Sequence, residues 1–125
     1  MQGVVDQRGR ALLRIELDQP SSTRNVTIDA WVDTGFTGEL MLSQSQIETL
    51  NLPHSGSVDA ILADGSPVKL HTYHCEFEWF GNTEQVEVIA NQGDYPLLGV
   101  GLLLGLDLRI NYGSMQIQLM DTSDI

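Results

Sequence analysis

Asp33 closes an alternating apolar segment and is followed at once by Thr34 and Gly35, in the run Ala30-Trp31-Val32-Asp33-Thr34-Gly35-Phe36-Thr37-Gly38. Gly35 and Gly38 permit a tight or left-handed backbone that other residues resist. A tight turn after a strand leaves the strand's last side chain at a rim, with backbone N–H groups beside it. A carboxylate held there is suited to taking or giving a proton. Alone it makes a poor hydrolase, because hydrolysis of an amide by water wants one group to accept a proton and another to supply one. Two adjacent carboxyls meet that need: they cannot both ionise easily, so they share a proton at moderate pH. An ordinary strand-to-turn cap has the same local appearance, so the rest of the chain has to decide.

A second Asp-Thr pair, Asp121-Thr122-Ser123, stands two residues from the end, with no strand or apolar-apolar-Gly element after it. It reads as a frayed tail. The partner of Asp33 is therefore expected from a second copy of the chain, brought to it by a twofold axis. His71, His74 and Cys75 invite a metal reading. In a strand, however, His71 and Cys75 share one face and His74 takes the other, and the chain has no second cysteine. They read as polar, half-buried strand residues, and no metal is expected there. Trp31 and Trp79 read as core or rim aromatics. Glu76, Glu78, Glu84 and Glu87 read as a solvated face.

The elements that must position Asp33 are mostly strands. Ala11–Leu17 alternates, and Gln19-Pro20-Ser21-Ser22 reads as a turn. In Asn25–Asp33, Val26, Ile28, Ala30 and Val32 fall on one face and Thr27, Asp29, Trp31 and Asp33 on the other. Ser43–Leu50 reads as a short helix: Ser43 and Gln46 have the spacing of a capping box, and Asn51-Leu52-Pro53 stops it. Val58–Ala63 and Val68–Phe80 are β-like around the hairpin signal Asp64-Gly65. Gly81-Asn82 turns the chain into Glu84–Ala90. Pro96–Leu106 is short and apolar, and two β-like pieces follow near Leu108–Tyr112 and Met115–Met120. The expectation is a mostly β chain of seven or eight short strands and one or two short helices.

The bulk numbers suit one core. The 125 residues are 42% hydrophobic and 18% charged, with a formal charge of −11, which fits a globular domain spanning residues 1–125. Arg8, Arg10, Arg14 and Arg24 lie near the start; from residue 25 onward, fourteen acids face only Lys69 and Arg109. Such a surface repels phosphate backbones, so no nucleic-acid partner is expected. The single cysteine excludes an internal disulfide. No basic-then-apolar leader opens the chain and no apolar run reaches bilayer length. A cytoplasmic setting without membrane contact is the expectation.

Together, the run Ala30–Ser43 ("AWVDTGFTGELMLS"), the Asp64-Gly65 hairpin and Pro96–Ile110 ("PLLGVGLLLGLDLRI") resemble the retropepsin-like aspartic proteases, the single-lobe homodimeric relatives of pepsin. The Asp-Thr-Gly-Phe form is similar to the small prokaryotic members. The resemblance extends from about Ala11 to about Met120. It implies a closed acid-protease barrel, single-lobed, with a flap hairpin and one or two short helices. By that resemblance Asp33 is the catalytic carboxylate. Thr34 bonds across the dimer axis, Gly35 shapes the loop, and Leu97-Leu98-Gly99 threads behind and supports it. The flap spans Ile61–Val68, and Phe36, Thr37, Leu62, Ala63, Asp64 and Gly65 meet an extended peptide or protein substrate. The strand around Met115–Met120 pairs with its counterpart in the dimer. No cofactor and no metal are implied. Two departures stand out. Retroviral members usually carry a small residue where this chain has Phe36, and an acid–arginine pair where it has Thr37 and Val100. Losing both halves of that pair is coherent, since losing one would strand a charge. The implied function is an aspartic endopeptidase; the alternative is a non-catalytic dimerisation or peptide-binding module of the same fold.

Overall fold

The computed structural model describes residues 1–19, 25–91, 93 and 95–122. The turn expected at Gln19–Ser22 therefore lies, beyond Gln19, outside the described residues. The strands are β1 (Gln2–Val5), β2 (Ala11–Asp18), β3 (Asn25–Val32), β4 (Leu40–Ser43), β5 (His54–Ile61), β6 (Pro67–Trp79), β7 (Asn82–Asn91), β8 (Leu97–Leu98), β9 (Leu106–Asn111) and β10 (Gln116–Asp121). Helix α1 covers Gln44–Leu50, and a 3-10 turn covers Val100–Leu102. The mostly β expectation holds. The strands beyond the expected number are short: β1, β4 and β8 have four, four and two residues. Such pieces are too brief to show an alternating pattern, and only their neighbours in space make them strands.

The strands join in the order β5-β6-β7-β4-β8-β3-β2-β1-β10-β9. This ladder ends on two different strands among the described residues, so it does not close into the barrel expected. Closure would require its outer strands to bond to each other. Instead the sheet folds over, and β2 packs against β6. Alternation explains which side chains meet. On β2, Ala11, Leu13, Ile15 and Leu17 are buried while Arg14 and Glu16 face out. Cys75, Phe77 and Trp79 of β6, Val86 and Val88 of β7, and Ile117 and Leu119 of β10 join the same core.

Local chemistry sets the connections. Ser43 Oγ accepts from the Gln46 N–H at 3.2 Å while Gln46 Oε1 accepts from the Ser43 N–H at 3.1 Å, completing the capping box. Asn51 ends α1 in the left-handed region at φ 54°. The β6–β7 turn lies one residue earlier than expected, at Phe80-Gly81, with φ values of 50° and 84°. Two successive positive φ angles are what a two-residue hairpin loop demands. Phe80 accepts that conformation while its ring packs edge-on against Trp79 at 5.1 Å. No helix among the described residues is long and apolar enough to cross a membrane.

Candidate active site

β3 carries Asp33 to its place. Ala30 and Val32 are buried and Thr27, Asp29 and Trp31 are exposed, so the expected division of faces holds. Immediately past β3, Asp33 is half-buried. Its N–H donates to Leu98 O at 2.9 Å, which continues the β3–β8 ladder to the loop itself. The dipeptide Leu97-Leu98 is held on both sides. It pairs parallel with Trp31 and Val32 of β3 and antiparallel with Leu40 and Met41 of β4. Three further bonds tie the chain after it to the loop after Asp33. Gly99 N–H donates to Glu39 O at 2.9 Å, Val100 N–H to Phe36 O at 2.8 Å, and Gly101 N–H to Gly38 O at 2.9 Å. The structure thus brings Asp33, Phe36, Leu97, Leu98 and Gly99 together in one hydrogen-bonded knot.

Within the loop, Asp33 Oδ1 accepts from the Gly35 N–H at 2.9 Å, and Asp33 O accepts from the Phe36 N–H at 3.1 Å. The turn therefore orients the carboxylate with its own backbone. Thr34, Gly35 and Thr37 are exposed. Phe36 folds inward over two glycines. A methyl group on Gly38 would lie 2.6 Å from its ring, and one on Gly99 would lie 2.5 Å from its ring and 2.7 Å from its carbonyl oxygen. Glycine at both positions is a matter of room.

Beside the loop stands a brace absent from the sequence reading. Trp31, two residues before Asp33, meets Tyr95 edge-on at 6.2 Å. The Arg10 guanidinium lies 4.1 Å above Tyr95 and 5.9 Å from Trp31. Arg10 Nε in turn donates to Asp6 Oδ2 at 2.7 Å. The Arg10 N–H above all, then the Arg10 side chain and the Arg8 N–H, holds the Asp6 carboxyl below its usual range against a smaller opposing effect of desolvation. Arg10 and Tyr95 are 85 positions apart in numbering, and no local pattern links them.

Leu62, Ala63, Asp64 and Gly65, expected to form a flap, lie in the exposed turn between β5 and β6. Leu62 N–H donates to Ser66 O at 2.9 Å and Gly65 N–H to Leu62 O at 2.8 Å. Asp64 Oδ1 accepts from the Ser66 N–H at 2.9 Å and from the Ser66 hydroxyl. The Ser66 hydroxyl, then its N–H, lowers the Asp64 carboxyl below its usual range. These bonds run within the turn itself, whereas the Asp33 loop is bonded also to Leu98 and Val100. Ile61 and Leu62 are 79% and 45% exposed, so the tip presents apolar surface to solvent.

No protein-family model and no curated protein sequence matches the chain. Solved structures do. A retropepsin-like aspartic protease from Rickettsia conorii superposes with a TM-score of 0.64 at 17% identity, covering 96% of this chain and 88% of that one. The simian foamy virus (mac) protease gives 0.46 at 21% identity over 70% of this chain and 87% of that one. The retroviral protease-like domain of Ddi1 from Leishmania major gives 0.47 at 13% identity over 92% and 98%.

The chain has the retropepsin-like fold.

The two departures noted in the sequence sit inside that retropepsin-like frame. Thr37 is exposed, and Val100 makes its bond through the backbone, to Phe36 O. The second Asp-Thr pair is not frayed as expected. Asp121 belongs to β10, and Thr122 Oγ1 donates to Gly105 O at 2.8 Å. The rest of that tail, from Ser123, lies outside the described residues. Cys75 is 2% exposed. Burial first, then the charges of Asp18 and Glu76, pushes its thiol up to about 12. A thiol so buried is a core residue rather than a ligand. Glu76, Glu78, Glu84 and Glu87 are exposed, as expected.

Proposed function

We propose that the chain is an aspartic endopeptidase that acts as a homodimer, with Asp33 as its catalytic residue. One observation carries this reading. A two-residue strand bonded on both sides holds a half-buried aspartate at the tip of an Asp-Thr-Gly turn, within a retropepsin-like fold. Each chain has one such turn, so a pair of carboxyls requires two copies. Thr34, next to Asp33, is exposed, which supports contact with a second copy.

In that dimer, water between the two Asp33 carboxyls attacks the scissile carbonyl. One carboxylate takes the water's proton; the other, protonated, donates a hydrogen bond to the carbonyl oxygen and helps form a gem-diol. The amide nitrogen is then protonated and leaves. The β5–β6 tip, with exposed Leu62 and Ala63, closes over an extended peptide and bonds to its backbone.

A second reading, a dimeric peptide-binding module without turnover, draws on the acidic flap tip at Asp64 and on Thr37 and Val100 in place of an ion pair. Sedimentation at pH 5 and pH 7, with cleavage of a peptide library by the native chain and by Asp33→Asn, separates the two. A dimer whose cleavage disappears with Asp33→Asn supports the protease. A dimer that binds peptides but cleaves none supports the module. A strict monomer at both pH values removes the partner carboxyl and with it the proposed reaction.

A further inference from the structure

The chain has three histidines, and none belongs to the Asp33 loop. Two of them meet across the β5–β6 ladder. The register shifts between His54 and Gly56: His54 pairs with Tyr73, while Ser57 pairs with His71. This irregularity brings the two rings together at the root of β5. His54 Nε2 and His71 Nδ1 are 3.3 Å apart. The ring centroids are 5.3 Å apart with planes at 60°. Both residues are exposed, and Tyr73 flanks His54 edge-on at 5.3 Å.

Two nitrogens bound at about 2.0–2.1 Å to one tetrahedral zinc lie about 3.3 Å apart. The spacing of this pair therefore equals the bite of a zinc chelate. In the hydrogen-bonded arrangement one nitrogen donates to the other. A turn of each ring by roughly 35° directs both lone pairs to a common point instead. Exposed imidazoles on sp³–sp² bonds have that freedom. We propose that His54 and His71 form a two-imidazole site for a divalent late transition metal, zinc in the first place. Among the described residues no cluster of three or more His, Cys, Asp or Glu surrounds a common point, so water completes the coordination. Such a site clips β5 to β6 across their register shift. The metal set considered from the sequence paired His71 with His74 and Cys75. The structure pairs His71 with His54 from the neighbouring strand instead.

The test is calorimetric titration of the full chain with zinc chloride, using His54→Ala, His71→Ala and His74→Ala in parallel. One zinc per chain is expected, with at least about tenfold weaker binding in each of the first two variants and unchanged binding in the third. Proton NMR of the native chain checks this without substitution: the ring resonances of His54 and His71 shift with zinc and those of His74 do not. No binding up to about millimolar zinc overturns the site. So does loss in only one of the two variants, or an equal loss in His74→Ala. The proposal stands apart from the Asp33 chemistry, so a catalytically dead chain is expected to bind zinc unchanged.

Discussion

The Asp33 loop and the β5–β6 tip are both turns, but they are held in opposite ways. The loop is fastened by bonds to residues some sixty positions away, from the Asp33 N–H to Leu98 O and from the Val100 N–H to Phe36 O. Among the described residues the tip is fastened to itself, Leu62 to Ser66 and Gly65 to Leu62. The loop is packed under Phe36 with no room at Gly99; the tip leaves Ile61 and Leu62 in water. Asp33 sits where bonds to β8 and to the chain after it must break before it moves. The β5–β6 tip, with few contacts beyond its own turn, sits where local opening is inexpensive.

The largest expected effect separates chemistry from stability at the loop. Asp33→Asn should lower peptide cleavage by about 10²–10⁴-fold or more while leaving the melting temperature nearly unchanged, as read by calorimetry and a fluorogenic peptide. A matching fall in stability would mean that the carboxylate is structural. Next comes the room at Gly99. Its φ of −102° is ordinary, so Gly99→Ala acts through overlap with Gly38 O and Phe36. It should destabilise by about 1–3 kcal/mol in urea unfolding. Leu98→Ala, from a fully buried position between β3 and β4, should cost about 2–5 kcal/mol.

The tip should respond less than the buried Leu98. Gly65 has φ +84° and nothing within 4 Å of where an added methyl group would lie, so Gly65→Ala should cost about 1–2 kcal/mol, from backbone strain alone. If peptide cleavage is present, its KM should change more than its kcat. A loss at the upper end of the Leu98→Ala range would erase the distinction between the two turns.

The smallest effect sharpens the boundary between them. Cys75, on the buried stretch of β6, has a thiol raised to about 12. The folded chain keeps a proton that the unfolded chain releases above about 9, so this group's contribution to stability falls as pH climbs from about 9 toward 12. Thiol labelling at pH 8 should accordingly be slow, and as slow in Gly65→Ala as in the native chain. Fast labelling in that variant would show that opening at the tip spreads down the hairpin.

Much of this was legible from residue patterns. β2 and β3 alternate over eight residues each, and Ser43 with Gln46 announces α1, because period and capping are local properties. The Asp-Thr-Gly turn was legible for the same reason: glycine and a short acid set a turn whatever surrounds them. The turn at Phe80-Gly81 was displaced by one residue because Phe80 tolerates a positive φ once its ring rests on Trp79. Asp121 was misread as fraying because its place in β10 depends on pairing with Leu106.

The sequence by itself determined where a carboxylate would stand, at the end of which strand, and which side chains would face the core. Those follow from two-residue alternation and from glycine's freedom. Only the tertiary structure decided that Leu97-Leu98 would lie between β3 and β4, that the ladder would stop short of a barrel, that Arg10 would reach Tyr95, and that His54 would meet His71. Each of these is a contact between residues far apart in number. Such contacts are selected by how the folded chain fills space and satisfies its backbone, and no short window of residues contains that information.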